Sequence, residues 1–461
     1  MFIGFDYGTS NCAVGIMATP STAGVCGQAT LLPIDGGKSF MPSTLYALER
    51  ELICEFVGLN IPNQQARERY IEHRGSALAH ARSVRREADI SPDEQSLFVG
   101  CEALTHYLEL PGEGYFVKSP KSFLGASGLR QEFVHFFEDI VSAMMQVIKQ
   151  RAEQSLGKDI QQAVIGRPVN FQGLNADASN RQAIDILTTS AKRAGFKEVE
   201  FLFEPLAAGM DFETRLREDK TVLVVDIGGG TSDCAMVRMG PSYRTKAERS
   251  ADFLGHSGER VGGNDLDIQL AGKHLMPLFG MQSKLKSGLP MPTQPYWNAV
   301  SINDVGAQTN FSSLQTKLEL EQLHRDAAEP ELLERFIHLR NEKRQHDVVR
   351  HAEQCKIALS DKLSHLVTFE HIEANLAQDI SRQQFATAIT RPLSKMVSLM
   401  DDAIKQAGCQ PDLIYVTGGS AQSPVIRQAI EQKLGAVEVV DGNHFGSVAA
   451  GLTVWAERLF R

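Results

Sequence analysis

Two distant stretches of the chain share one pattern of apolar and polar positions. Near the start, Phe2-Ile-Gly-Phe-Asp6-Tyr-Gly-Thr9-Ser-Asn-Cys-Ala13 passes from an apolar run to an acid, a glycine turn and hydroxyl residues, then back to apolar positions. Val222-Leu-Val-Val-Asp226-Ile-Gly-Gly-Gly-Thr231-Ser-Asp-Cys-Ala235 repeats the pattern with two more glycines. Each copy predicts a strand, a tight turn and a second strand. The two acids lie a large domain's length apart. The repeat therefore predicts an α/β protein with two related lobes facing each other across a cleft. Ala163-Val-Ile-Gly-Arg-Pro168 predicts a short buried strand ended by proline. Asn180 to Gly195 predicts an amphipathic helix stopped by glycine. Leu413-Ile-Tyr-Val-Thr-Gly-Gly419 predicts a strand and glycine turn, Val425 to Leu434 the helix that follows, and Ser447 to Leu459 a final helix.

On this plan lobe I covers residues 1–217 and is completed by 438–461, and lobe II covers 218–437. Two stretches read as additions. Residues about 49–96 include the charged segments Ala66-Arg-Glu-Arg-Tyr70 and Ala81-Arg-Ser-Val-Arg-Arg-Glu87. Residues about 280–345 open with the linker-like Ser287-Gly-Leu-Pro-Met-Pro-Thr-Gln-Pro295 and continue as one charged helix from Leu314 to Gln345. Both read as solvated helices decorating the lobes.

Composition narrows the function classes. A chain of 461 residues with 43% hydrophobic and 22% charged residues is globular and large enough for two cores. A net charge of −9 disfavours a general binder of nucleic acid or anionic membrane. The N-terminus meets Asp6 at once and lacks a basic segment, unlike a secretory signal. The seven cysteines, Cys12, Cys26, Cys54, Cys101, Cys234, Cys355 and Cys409, are scattered without a Cys-x-x-Cys. They read as reduced thiols of a cytoplasmic protein. The 13 histidines form no metal-ligand spacing.

The chemistry lies in the two turns. Glycines let backbone N–H groups approach phosphate oxygens, and such turns act as anion-binding nests. Threonine and serine hydroxyls add hydrogen bonds. Two acids facing each other repel unless a cation lies between them, and Mg²⁺ carried in by a nucleotide meets that need. Without a ligand, the pair would be two structural hairpins left by duplication.

Asp6-Tyr-Gly-Thr-Ser-Asn11 and Asp226-Ile-Gly-Gly-Gly-Thr-Ser-Asp233 resemble the two phosphate motifs of the actin-like ATPase superfamily, whose lobes are ribonuclease-H-like. Five more segments resemble its seventy-kilodalton heat-shock chaperone branch: Lys121-Ser-Phe-Leu-Gly125, Phe203-Glu204-Pro-Leu-Ala-Ala208, Gly262-Gly-Asn-Asp-Leu-Asp267, Glu353-Gln-Cys-Lys356-Ile-Ala-Leu-Ser360 and Gly418-Gly-Ser-Ala-Gln-Ser-Pro424. The matches run in order along nearly the whole chain outside the two additions. The length suggests a short bacterial member without a peptide-binding domain.

The resemblance implies a Mg²⁺-dependent ATPase that binds ATP and ADP. Asp6 and Asp226 would organise Mg²⁺, and Asp233 a monovalent cation. Gly8, Thr9 and Ser10 would hold one side of the phosphate chain, and Gly228, Gly229, Gly230 and Thr231 the other. Lys121 would balance charge at the γ-phosphate and Glu204 would orient the attacking water, with Thr231, Asp6 and Asp226 completing the catalytic set. Gly262, Gly263, Glu353, Lys356 and Ser360, with Gly418, Gly419 and Ser420, would hold the nucleoside. Nucleotide state would switch lobe conformation. Partners would be protein clients or co-chaperones bound through the lobe surfaces, not extended peptides, nucleic acid or membrane. The sequence also departs from the family pattern. Ile357 and Gln422 stand where two arginines sandwich the adenine, which predicts weaker ATP binding. Cys12 replaces a hydroxyl residue, and Phe445 stands where an acid is often found. A small-molecule kinase of the sugar-kinase branch would show a general-base Asp motif, which is not found. An actin-like filament protein would sediment with ATP.

Overall fold

The computed structural model describes residues 1–18, 29–126, 128, 130–171, 176–244, 246 and 249–461. Cys26 lies outside the described residues. The other six cysteines are free thiols.

Two mixed sheets carry the repeated hairpins. In the first, β1 (Phe2–Tyr7) pairs antiparallel with β2 (Asn11–Met17), which pairs with β3 (Ala29–Leu31) and the short Met41–Pro42 strand. On its other side β1 runs parallel to β4 (Gln162–Arg167), which runs parallel to β5 (Glu198–Phe203). The second sheet contains β6 (Lys220–Ile227), β7 (Ser232–Met239), β8 (Phe253–Glu259), β9 (Leu413–Thr417) and β10 (Glu438–Asp441). Its order is β8-β7-β6-β9-β10, with the same directions as β3-β2-β1-β4-β5. A smaller three-stranded sheet joins Thr44–Ala47, Leu97–Val99 and Tyr115–Lys118.

The strand interiors explain the packing. Val222, Leu223, Val224 and Val225 are all buried, as are Ala163, Val164 and Ile165. Strands apolar on both faces must be covered on both, which suits central parallel positions. The Glu204–Glu213 and Ser447–Phe460 helices share one core with these strands, through Ala207, Met210, Leu452 and Ala456.

The chain forms two compact units. One comprises residues 1–260, 396–421 and 431–461, and contains both hairpin sheets; the other comprises 261–395 and 422–430.

The two additions are more than decoration. Leu52–Asn60 buries Leu52, Ile53 and Val57, and packs on the long Gln131–Leu156 helix. The charged stretch from Leu314 to Gln345 is not one helix: Leu314–Asp326 and Pro330–Asn341 lie within it, and Gln345–Asp361 begins at its end. The first break precedes Pro330, since proline disfavours helical backbone in the residue before it. Ala327 there bridges to Leu285. The second break falls at Lys343, whose φ of 51° is left-handed. The Pro/Gly/Ser-rich stretch is folded, with Met291, Pro295 and Tyr296 buried. Tyr296 stacks on Phe336 at 4.2 Å. The second unit thus has an aromatic core that charge patterning did not reveal.

In the first addition Arg74 is buried, 2.8 Å from Glu138 and 3.2 Å from Asp139. Arg193 reaches the same two acids at 3.1 and 3.2 Å. Breaking a buried pair strands the remaining charge, so Arg74→Ala is expected to cost about 3–5 kcal/mol. Urea unfolding measures this, and a loss below about 1 kcal/mol, the worth of an exposed pair, would contradict it.

Candidate functional site

The two hairpin turns meet each other. A side chain at Gly229 would place its Cβ 1.8 Å from the Ser10 hydroxyl, and one at Gly230 would come within 2.6 Å of Thr9 Cγ2. Only glycine permits that approach. The second turn is closed by the Gly228 N–H donating to Thr231 O at 3.0 Å. In the ladder Asp6 faces Ala13, and Asp226 faces Asp233. Gly418 follows β9 at φ +87°, and its missing Cβ would lie 2.7 Å from Asp226 Oδ1. The Ser420 hydroxyl donates to Gly228 O at 3.2 Å. Asp6, Asp226, Gly8–Ser10, Gly228–Thr231 and Gly418–Ser420 thus share one compact unit.

Lys121 and Glu204 complete the cluster. Lys121 is buried and ion-paired with Glu204, which excludes a surface lysine. Its position follows from Ser119, a left-handed residue at φ 56°, and Pro120, which opens the short helical turn Pro120–Phe123. The Ser119 N–H donates to Ser43 O at 2.8 Å, which ties this turn to the residue beside β2. Glu204 is the first residue of its helix, followed by Pro205. Proline there fixes φ and has no N–H to leave unpaired. Asp233 accepts from the Val169 N–H at 2.8 Å and from the Thr231 hydroxyl.

Four carboxylates therefore surround one ammonium. Burial, then Glu204, push Asp6 up to about 7, against Lys121. Burial, then Glu204, push Asp233 up to about 8. Burial, then Glu204 and Asp233, hold Asp226 well above the carboxylate range. Burial pulls Lys121 down, but Glu204 and Asp6 overcome it and leave the lysine above its ordinary value. The cluster holds four acids to one lysine, and an added cation would favour their ionised forms. Among the described residues no three His, Cys, Asp or Glu side chains form a direct metal cage.

The raised values fix a pH dependence for the metal-free protein. The folded state keeps protons on Asp6 and Asp233 that the unfolded chain releases near 3.8. Their stabilising contribution is full below pH 3.8 and is lost as pH rises through about 7 and about 8. Each extra proton held makes stability fall by up to about 1.4 kcal/mol per pH unit across that window. Without metal, wild type should lose stability from pH 5 to 8 relative to Asp6→Asn, measured by denaturant midpoints. Parallel pH profiles would contradict this.

Several contributors were not singled out from the sequence. Ser43 donates to Gly8 O at 2.7 Å and braces the first turn. Arg167 donates to Pro168 O at 3.1 Å and Val169 O at 3.2 Å, fixing the segment whose N–H holds Asp233. Its guanidinium lies 4.8 Å from the centre of the Phe203 ring, and Phe203 immediately precedes Glu204. A polar residue inside an otherwise apolar strand end was the available signal.

The remaining candidates lie in the second unit. The Gly262 N–H donates to Asp265 at 2.8 Å and opens the Gly263–Leu270 helix. Lys356, on the Gln345–Asp361 helix, lies 2.8 Å from the Asp267 carboxylate and 3.3 Å from Gly263 O. Glu353 and Ser360 share that helix and are half-buried, while Ile357 is exposed.

The sequence profile described as Hsp70 protein matches residues 127–290 and 332–459. The chain belongs to the Hsp70 protein family. It is similar to the chaperone protein DnaK of two strains of Halobacterium salinarum, 24% identical over 326 residues in each. The match covers 69% of this chain and 41% of each relative, so the chain spans about two fifths of their length. No helix among the described residues is long and apolar enough to cross a membrane.

Proposed function

We propose that the protein binds Mg²⁺-ATP and hydrolyses it to ADP and phosphate, and that nucleotide state switches the conformation of a chaperone-like body. The observation that carries this reading is the cluster of buried Asp226, Asp233 and Glu204 and half-buried Asp6 around buried Lys121, flanked by two abutting glycine turns. An uncompensated group of acids is costly to bury and is relieved by an incoming cation. Family membership and the matching strand order of the two sheets support two duplicated ribonuclease-H-like lobes, residues 1–217 with 438–461, and 218–437.

In this reading the turn N–H groups and the Thr9, Ser10 and Thr231 hydroxyls grip the phosphate chain. Asp6 and Asp226 orient the water shell of the cation, and Asp233 favours a monovalent ion. The bound Mg²⁺ neutralises charge on the phosphoryl oxygens. Lys121 faces the charge that develops at the transferred phosphorus. Glu204 orients the attacking water and receives its proton. Catalysis is by positioning and charge neutralisation. Glu353, Lys356, Ser360, Gly262, Gly263 and Gly418–Ser420 would contact the nucleoside. ATP would bind weakly, because Ile357 and Gln422 offer no guanidinium for stacking. Protein clients or co-chaperones would dock on lobe surfaces, and the free thiols suit a cytoplasmic setting.

Inorganic phosphate release from ATP, with and without Mg²⁺, tests the activity. Mg²⁺-dependent release is expected. Its absence at saturating nucleotide would leave a binding protein only.

A further inference from the structure

Phe445 is an exposed aromatic beside the site. It retains 44% of its accessible surface, the most of any phenylalanine among the described large hydrophobics that remain exposed. Its ring is nonetheless held in place. A Cβ on Gly419 would fall 2.6 Å from Phe445 Cε1, so the ring lies against the backbone of the Gly418–Gly419 turn. Phe40 stands 5.8 Å away, centroid to centroid, with the rings tilted by 55°. Gly418 touches Asp226 and Gly419 touches Phe445, so the ring sits one residue from the carboxylate cluster. Phe445 also ends the loop that leads, through Gly446, into the Ser447–Phe460 helix.

An apolar ring left half open to water at the rim of an acidic cluster gains little from its own packing. A flat ligand that covered it would remove that exposed surface. The polar part of such a ligand must be anionic to suit the glycine turns and bring a cation to suit the carboxylate cluster, and its flat part must stack on phenylalanine. A nucleoside triphosphate has both parts. We propose that Phe445, braced by Phe40, is a stacking wall for the nucleobase of the bound nucleotide. It supplies base contact by π-stacking. The inference rests on the nucleotide-binding reading above. A base stacked on an aromatic ring tolerates any base, because every base has a π-face. The wall should therefore favour nucleotides over bare phosphates without discriminating sharply between adenine and guanine.

Calorimetry with two probes tests it: Mg²⁺-ATP, and Mg²⁺-tripolyphosphate, which has the charged chain without the nucleoside. Phe445→Ala is expected to weaken ATP binding about 5- to 100-fold and leave tripolyphosphate unchanged. Phe445→Trp should retain the ATP affinity. Unchanged ATP affinity in Phe445→Ala would mean that the ring packs only on Phe40, and would overturn the proposal. Equal loss of both probes, not rescued in Phe445→Trp, would make Phe445 a prop for the glycine turns and overturn it too. If wild type binds neither probe, the nucleotide reading itself fails.

Discussion

Lys121→Ala is expected to lower ATP turnover ~10²–10³-fold while changing nucleotide affinity far less. Lys121 is buried, pairs with Glu204, and lies in the field of Asp6, Asp226 and Asp233. Its charge gains most when negative charge builds on the transferred phosphoryl group, so its loss falls on kcat more than on binding. The truncation also leaves Glu204 buried without its partner. Single-turnover hydrolysis at saturating ATP measures the result. A wild-type rate would remove Lys121 from the catalytic set.

Gly230→Val is expected to weaken Mg²⁺-ATP binding about 10- to 100-fold, the scale set by overpacking a tight contact. Even its Cβ would stand 2.6 Å from Thr9 Cγ2 and 2.9 Å from Thr9 Oγ1. Thr9 is β-branched, stiff about χ1 and buried, so it cannot swing aside. The turns would have to part, and the two halves of the phosphate grip would separate. Calorimetry on the folded variant measures the loss. Affinity within about twofold of wild type would mean that the turns need not touch for binding.

The hairpins were legible because strand, acid, glycine and hydroxyl stand in one short window, and because the window occurs twice. Periodicity also placed the Leu413–Thr417 strand and the final helix to within a residue or two. Lys121 and Glu204 were legible only through their resemblance to chaperone segments. Nothing local indicates that residues 83 positions apart are ion-paired. Contacts made through backbone atoms left no signal, since Ser43, Val169 and Pro168 act through main-chain groups or on them. Charge misled in the second addition. Its surface charges suggested one solvated helix, while Tyr296, Phe311 and Phe336 cluster inside it and Pro330 and Lys343 break it. Phe445 was visible as a departure from the family pattern. Its role as a wall needed the closeness of Gly419 and Phe40.

The central claim is that the carboxylate cluster holds a metal-bound nucleotide. The most direct measurement is calorimetric titration of ATP into wild type and Asp6→Asn, each with Mg²⁺ and with EDTA. The account predicts that Mg²⁺ strengthens ATP binding in wild type and that Asp6→Asn loses most of that gain. Binding of equal strength with and without Mg²⁺, or a full Mg²⁺ gain retained in Asp6→Asn, would contradict it.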